Sequence, residues 1–134
     1  PNGVYRAFEK EFNRINAEQG KKQYLIPYLI SGHPGSGLEE AVELALYLKK
    51  QGFIPDQVQD FYPTPATLST CEYYTGINPF TKEPVYSATS PEEKAMQRAL
   101  LHFHKPENRK LVIKALKAAG RSDLIGPGKN TLIR

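Results

Sequence analysis

The sequence has 134 residues, a formal net charge of +4 at pH 7, a hydrophobic share of 40% and a single cysteine. That length suits one domain, or one small domain with an appendage, and the apolar share allows a core. A lone cysteine excludes an internal disulfide framework and fits a reducing, cytoplasmic setting, and no apolar run approaches the ~20 residues of a membrane-spanning helix.

Pro1-Asn2-Gly3 runs directly into a charged helix, which reads as a cut in a longer chain rather than as a signal peptide. Residues 4–17 place Val4, Tyr5, Phe8, Phe12 and Ile15 on one side of that helix, which Gly20 ends. Its expected place is the outside of a sheet. Residues 24–30 form a short run rich in β-formers and apolar on both faces, the pattern of a strand buried in a parallel sheet. Pro27 removes a ladder donor, so it belongs at a bulge or where the strand lacks a partner. Tyr24 and Tyr28 flank it on one face and read as packing residues.

The run breaks at Ser31, Gly32, His33, Pro34, Gly35 and Ser36. Ser36 and Glu39 have capping-box spacing, and Leu38, Ala41, Val42, Ala45 and Leu48 give the apolar stripe of a helix that Gly52 ends. Residues 58–62 are a second short strand, stopped by Pro63, Thr64 and Pro65. The whole is one βαβ unit with a right-handed crossover. Parallel strands end on one side of their sheet, so the His33 loop and the Pro63-Thr64-Pro65 loop are expected to meet on the ligand-bearing face. The first loop enters a helix N-terminus, whose unpaired N–H groups favour an anion or an electron-rich group. For His33, a hydrogen bond to a ligand and a turn-stabilising role both stay open.

Two stretches carry a resemblance: YLISGHPGS, and the series PDQVQDFYPTP, TLSTC and YYTG. Over residues 8–126 the chain resembles the YgiQ family of uncharacterised bacterial radical S-adenosylmethionine (radical SAM) proteins, at the end of their barrel. Where many radical SAM relatives carry Glu after the Gly-x-Pro-Gly turn, Ser36 stands here. The resemblance implies a metal-binding, iron–sulfur enzyme that cleaves S-adenosylmethionine reductively to a 5′-deoxyadenosyl radical on a substrate that it does not identify. It also implies that Ser31, Gly32, His33, Pro34, Gly35 and Ser36, with Tyr62, Pro63, Thr64, Pro65 and Thr67, line the S-adenosylmethionine pocket. In that family a Cys-x3-Cys-x2-Cys loop holds a [4Fe–4S] cluster. Cys71 is the only cysteine here, so this chain is expected to hold no cluster alone and to partner a missing N-terminal part of the same protein.

Residues 68–74 fit either a helical turn or a strand, and residues 73–86 read as a hairpin-like loop. Tyr73, Tyr74, Phe80 and Tyr86 suit either stacking on a base or forming the small core of that loop. Cys71 has no His, acid or Lys at a diagnostic spacing and reads as an inert thiol. Ser90-Pro91-Glu92-Glu93 is a helix start, followed by Met96, Ala99, Leu100 and Phe103 as the apolar stripe. Lys105-Pro106 breaks the chain. Residues 106–119 predict a second helix with Leu111, Val112, Ala115 and Leu116 inward, and residues 127–134 read as a frayed tail.

Residues 91–134 hold 10 Lys plus Arg against 4 Asp plus Glu, while residues 1–90 hold 8 against 10. Lys110, Lys114, Lys117 and Arg121 recur at helical spacing, as a solvated face or as a contact for RNA. His102 and His104 are two apart and do not form a helical metal pair, so they read as structural or surface residues.

The expectation is therefore an α/β fold. A preceding helix and a βαβ unit from a partial, TIM-like radical SAM barrel occupy residues 1–70. A hairpin-like linker and a small helical extension occupy residues 71–134. An excised barrel piece leaves open sheet edges, so the isolated chain is expected to self-associate or to fold a terminal segment over them. The alternative function is a non-catalytic, basic RNA-binding or protein-interaction module.

Overall fold

A computed structural model describes residues 2–134. Among the described residues the architecture is mixed α/β: α1 (Asn2–Glu18), β1 (Leu29–Ser31), α2 (Leu38–Gln51), β2 (Val58–Asp60), α3 (Leu68–Thr75), α4 (Pro91–Leu101) and α5 (Arg109–Ala118). Short 3-10 turns occupy Pro106–Asn108 and Ser122–Leu124. The strands pair in parallel, with Leu29 opposite Val58, Ile30 opposite Gln59 and Ser31 opposite Asp60. The expected β–α–β order is thus present, while a barrel is not visible in a two-stranded sheet.

Both strands are shorter than their apolar runs. Residues 24–28 lie outside β1, and Tyr24, Ile26 and Tyr28 are 80%, 84% and 70% exposed. Pro27 lacks an N–H to donate, and β2 is too short to reach that level, so the run has no ladder to join. Apolar composition alone mimicked burial there. The apolar stripe of α1 is open too: Val4, Phe8 and Ile15 are exposed, and Arg6 stacks over the Tyr47 ring of α2, 5.9 Å from its centroid. The expected seat of α1 on the sheet is not found.

The core lies between α2, α4 and α5. Ala41, Val42 and Ala45 of α2 meet Met96, Ala99 and Leu100 of α4 and Val112, Ala115 and Leu116 of α5. Leu48, Val58 and Leu101 form a second cluster between α2, β2 and α4. α4 is the central element, touching α2, α5 and both strands. Its start is as expected: Ser90 caps it by accepting from the Glu93 N–H (3.2 Å), with Pro91 in the first turn. Burying Leu100 and Leu116 completely contributes about 1.5–3 kcal/mol each before entropy is counted.

Two local expectations are corrected and one left open is decided. α2 is capped at Gly37 rather than Ser36, because the Glu40 carboxylate accepts from the Gly37 N–H (2.8 Å). Residues 68–74 resolve as the helix α3, capped by the Thr67 hydroxyl on the Thr70 N–H (3.3 Å). The tail is not frayed. Leu132 and Ile133 are buried, the Leu132 N–H donates to the Leu124 carbonyl (2.7 Å), and Lys49 donates to the Thr131 and Leu132 carbonyls. Two apolar residues in a polar octapeptide were too few to give a periodicity.

The hairpin-like loop is present in narrower form, bridged between Ile77 and Pro84, with Asn78 Oδ1 accepting from the Phe80 and Thr81 N–H groups (both 3.0 Å). No helix among the described residues is long and apolar enough to cross a membrane.

Candidate functional site

The loop after β1 is held from three directions. Gly32 (φ 69°) and Gly35 (φ 86°) take left-handed backbone conformations that bend it sharply. Gln97 of α4 accepts from the Gly32 N–H (3.1 Å) and donates to the Ser36 carbonyl (3.0 Å), so one amide spans both ends of the turn. The Gly35 N–H donates to the Tyr86 carbonyl (2.7 Å), and the Ser36 N–H to the His33 carbonyl (2.9 Å). Across the sheet, Ser31 Oγ donates to Asp60 (2.7 Å), whose other oxygen pairs with Arg98 (2.8 Å).

His33 is oriented at both ring nitrogens. Nδ1 lies 2.8 Å from the Pro34 carbonyl, which only accepts, so Nδ1 carries a proton. In the neutral ring Nε2 then accepts from Ser69 Oγ, 3.2 Å away on α3. The ring also meets Phe61 edge-on at 5.2 Å, and Phe61 packs on Tyr73 at 5.6 Å. Lys94 donates to the Tyr73 hydroxyl (2.7 Å) and lies 5.1 Å from the ring centroid.

The two loops do share a cleft. An open space of about 400 Å³ is lined by Tyr28, Ile30, His33, Gln59, Asp60, Phe61, Tyr62, Thr64, Thr67 and Ser69. Of the residues singled out in the sequence, His33, Tyr62, Thr64 and Thr67 therefore stand together. Ser31, Gly32 and Ser36 instead line a small interior space of about 30 Å³ with Gln97 and Leu101, behind the loop. Pro34 is buried and Gly35 is exposed, while Pro63 and Pro65 shape the second loop without lining the cleft. Thr67 Oγ1 donates to the Thr64 carbonyl (2.8 Å), closing that loop on itself. Sequence reading missed Ser69 and Gln97, since a polar residue on a helix carries no local signal of its distant partner.

A second open cleft, about 430 Å³, runs along β2 and the end of α4. It shares Tyr28, Gln59 and Asp60 with the first and adds Asp56, Gln57, Arg98, His102 and Lys105. His102 is buried, and that burial, reinforced by the Lys105 charge, lowers its pKa below the usual histidine value.

The charges of the loop and of the basic row on α5 are partly answered within the chain. The N–H groups of Gly32, Gly35, Ser36 and Gly37 all have protein partners, and the first turn of α2 carries Glu39 and Glu40. Those two carboxylates disfavour an anion at that end of α2. On α5, Lys114 pairs with Glu92, and Arg121 pairs with Glu43 (3.0 Å) and Asp123 (3.2 Å), so half of the basic row is neutralised within the chain. Cys71 is half-buried, 4.0 Å from Thr75 Oγ1.

A domain of unknown function, DUF3362, matches residues 56–134. The chain is 57% identical to a UPF0313 protein of Clostridium perfringens over 131 residues, 98% of this chain and 20% of that protein. UPF0313 proteins of Methanocella arvoryzae and Methanosarcina acetivorans are 55% and 52% identical, again over 98% of this chain and 22% and 18% of theirs. The chain thus spans about a fifth of the length of the curated relatives it matches. No solved structure matches it. With more than half of its residues inside the matched domain, the chain belongs to the DUF3362 family.

Proposed function

We propose that this chain is the C-terminal part of a radical SAM enzyme and supplies one wall of its S-adenosylmethionine site. One observation carries the reading: loops leaving the same ends of two adjacent parallel strands meet around one open cleft. Its volume falls in the range of small-molecule sites, roughly 300–1,000 Å³. Tyr28, Phe61 and Tyr62 offer aromatic surface for adenine. Gln59 offers an amide to a base or ribose edge, and His33, fixed by Pro34 and Ser69, offers a rigid flank.

The chain's own residues do not fit a [4Fe–4S] cluster. Cys71 is its one cysteine, and no three His, Cys, Asp or Glu side chains converge among the described residues. Cluster ligands are therefore assigned to the part of the longer protein outside this chain. S-adenosylmethionine, when bound, would supply the radical chemistry that the resemblance to the YgiQ family implies. The task of these residues is to bind and orient its nucleoside. The RNA-binding alternative stands second, because Lys114 and Arg121 already have acidic partners.

The test is anaerobic reconstitution of the full-length protein that carries this chain, with iron and sulfide assays and equilibrium dialysis against S-adenosylmethionine. The reading expects a bound cluster and saturable S-adenosylmethionine binding. Absence of either in a folded, reconstituted protein contradicts it.

A further inference from the structure

We propose that Gln97 is the positioning residue of the cleft, through which the helical half of the chain sets the shape of the loop after β1. This rests on the cleft being a ligand site, as proposed above, but its structural arm does not. Gln97 is 1% exposed, although glutamine is mostly a surface residue. Its buried amide is satisfied by the loop: Oε1 accepts from Gly32 (3.1 Å), and Nε2 donates to Ser36 (3.0 Å) and to Glu93 (3.3 Å). Gly32 and Ser36 bracket His33, so the amide sets the separation of the two ends of the turn that carries the imidazole.

A second layer fixes the amide. Glu93, one turn earlier on α4, accepts from Gln97 with one oxygen and from the Tyr86 hydroxyl with the other (2.5 Å). The Tyr86 carbonyl in turn accepts from the Gly35 N–H (2.7 Å). The loop is thereby clamped at positions 32, 35 and 36 by residues 86, 93 and 97, none of which lines the main cleft. A purely structural glutamine would need only some partner. This one joins a donor and an acceptor that belong to the same six-residue turn.

The experiment uses the full-length protein carrying Gln97→Leu or Gln97→Glu, read by hydrogen exchange with mass spectrometry and by equilibrium dialysis against S-adenosylmethionine. Leucine keeps the volume and removes both bonds. Glutamate keeps the acceptor for Gly32 and loses the donor to Ser36. In Gln97→Leu, exchange across residues 31–37 should quicken about tenfold while α5 keeps its protection, and the dissociation constant should rise about tenfold. In Gln97→Glu the Gly32 amide should stay protected. If the leucine variant fails to fold, loss of loop protection beyond Gly32 in the glutamate variant carries the proposal. Unchanged loop exchange in every variant that folds overturns it. Loosened loops with no S-adenosylmethionine binding by the wild type would instead uphold Gln97 as the clamp and sink the cofactor assignment.

Discussion

His33 Nε2 lies 3.2 Å from Ser69 Oγ, so the loop after β1 is tied to the helix after β2 by one hydrogen bond between side chains. The two halves of the cleft are therefore fixed relative to each other by more than the three-residue ladder. Ser69→Ala should leave Nε2 without its partner and lower stability by about 1 kcal/mol, measurable by urea unfolding. Equal stability of the variant and the parent would show that the contact holds nothing.

Gly35 should tolerate little. With φ at 86° and nothing within 4 Å of a Cβ built there, the obstacle to a side chain is backbone conformation rather than space. Gly35→Asn should therefore be mild and Gly35→Val severe, because a β-branched residue is strained in this region. On the proposed function Gly35→Val should weaken S-adenosylmethionine binding in the full-length protein. Wild-type affinity in a folded valine variant would contradict that placement.

The C-terminal segment should behave as core. Leu132 is 3% exposed and packs in the cluster with Val112, Leu116 and Leu124. Leu132→Ala should lower stability by about 2 kcal/mol or more, by denaturant unfolding. A frayed tail would show no change.

How much of this was legible depended on how local each signal was. The α4 start was readable because Ser90, Pro91 and Glu93 act within one turn. The βα turn was readable because Gly32, Pro34 and Gly35 forbid a strand. Tyr24, Ile26 and Tyr28 misled because a strand exists only with a partner, and the partner ladder stops at Val58. The α2 cap moved by one residue because Ser36 is drawn into the loop, its carbonyl held by Gln97, leaving Glu40 to cap through Gly37. Leu132 and Gln97 were invisible because their roles depend on contacts across more than 60 residues or on a fold-back with no period.

Stability should fall on mild acidification. Burial holds the His102 pKa below its ordinary value of 6.5, and Lys105, His104 and Arg98 add repulsion to its charged form, against a weaker opposing effect of Glu107. A folded pKa below the unfolded one means that the unfolded chain takes up the proton first. Its contribution is complete above pH about 6.5 and is lost as pH falls toward the folded value. His102→Gln should flatten the profile in that window and leave the separate loss below pH 4.5, where Glu92, lowered by Lys114, is protonated. An unchanged profile as pH falls below about 6.5 would assign the dependence to other groups.

Alone, the 134-residue chain should self-associate, since Tyr24, Ile26, Tyr28 and Ile30 expose a row of apolar side chains beside an unpaired strand edge. Sedimentation velocity should show concentration-dependent association that Ile26→Lys reduces. A monomer at high concentration would mean that this row is simply solvated.

The central claim is the shared cleft, and the most direct measurement is hydrogen exchange of the reconstituted full-length protein with and without S-adenosylmethionine. Addition of the ligand should slow exchange in two separate peptides, one covering residues 29–36 and the other residues 59–69, and leave α5 unchanged. Saturable binding with protection confined to other parts of the protein would contradict the account.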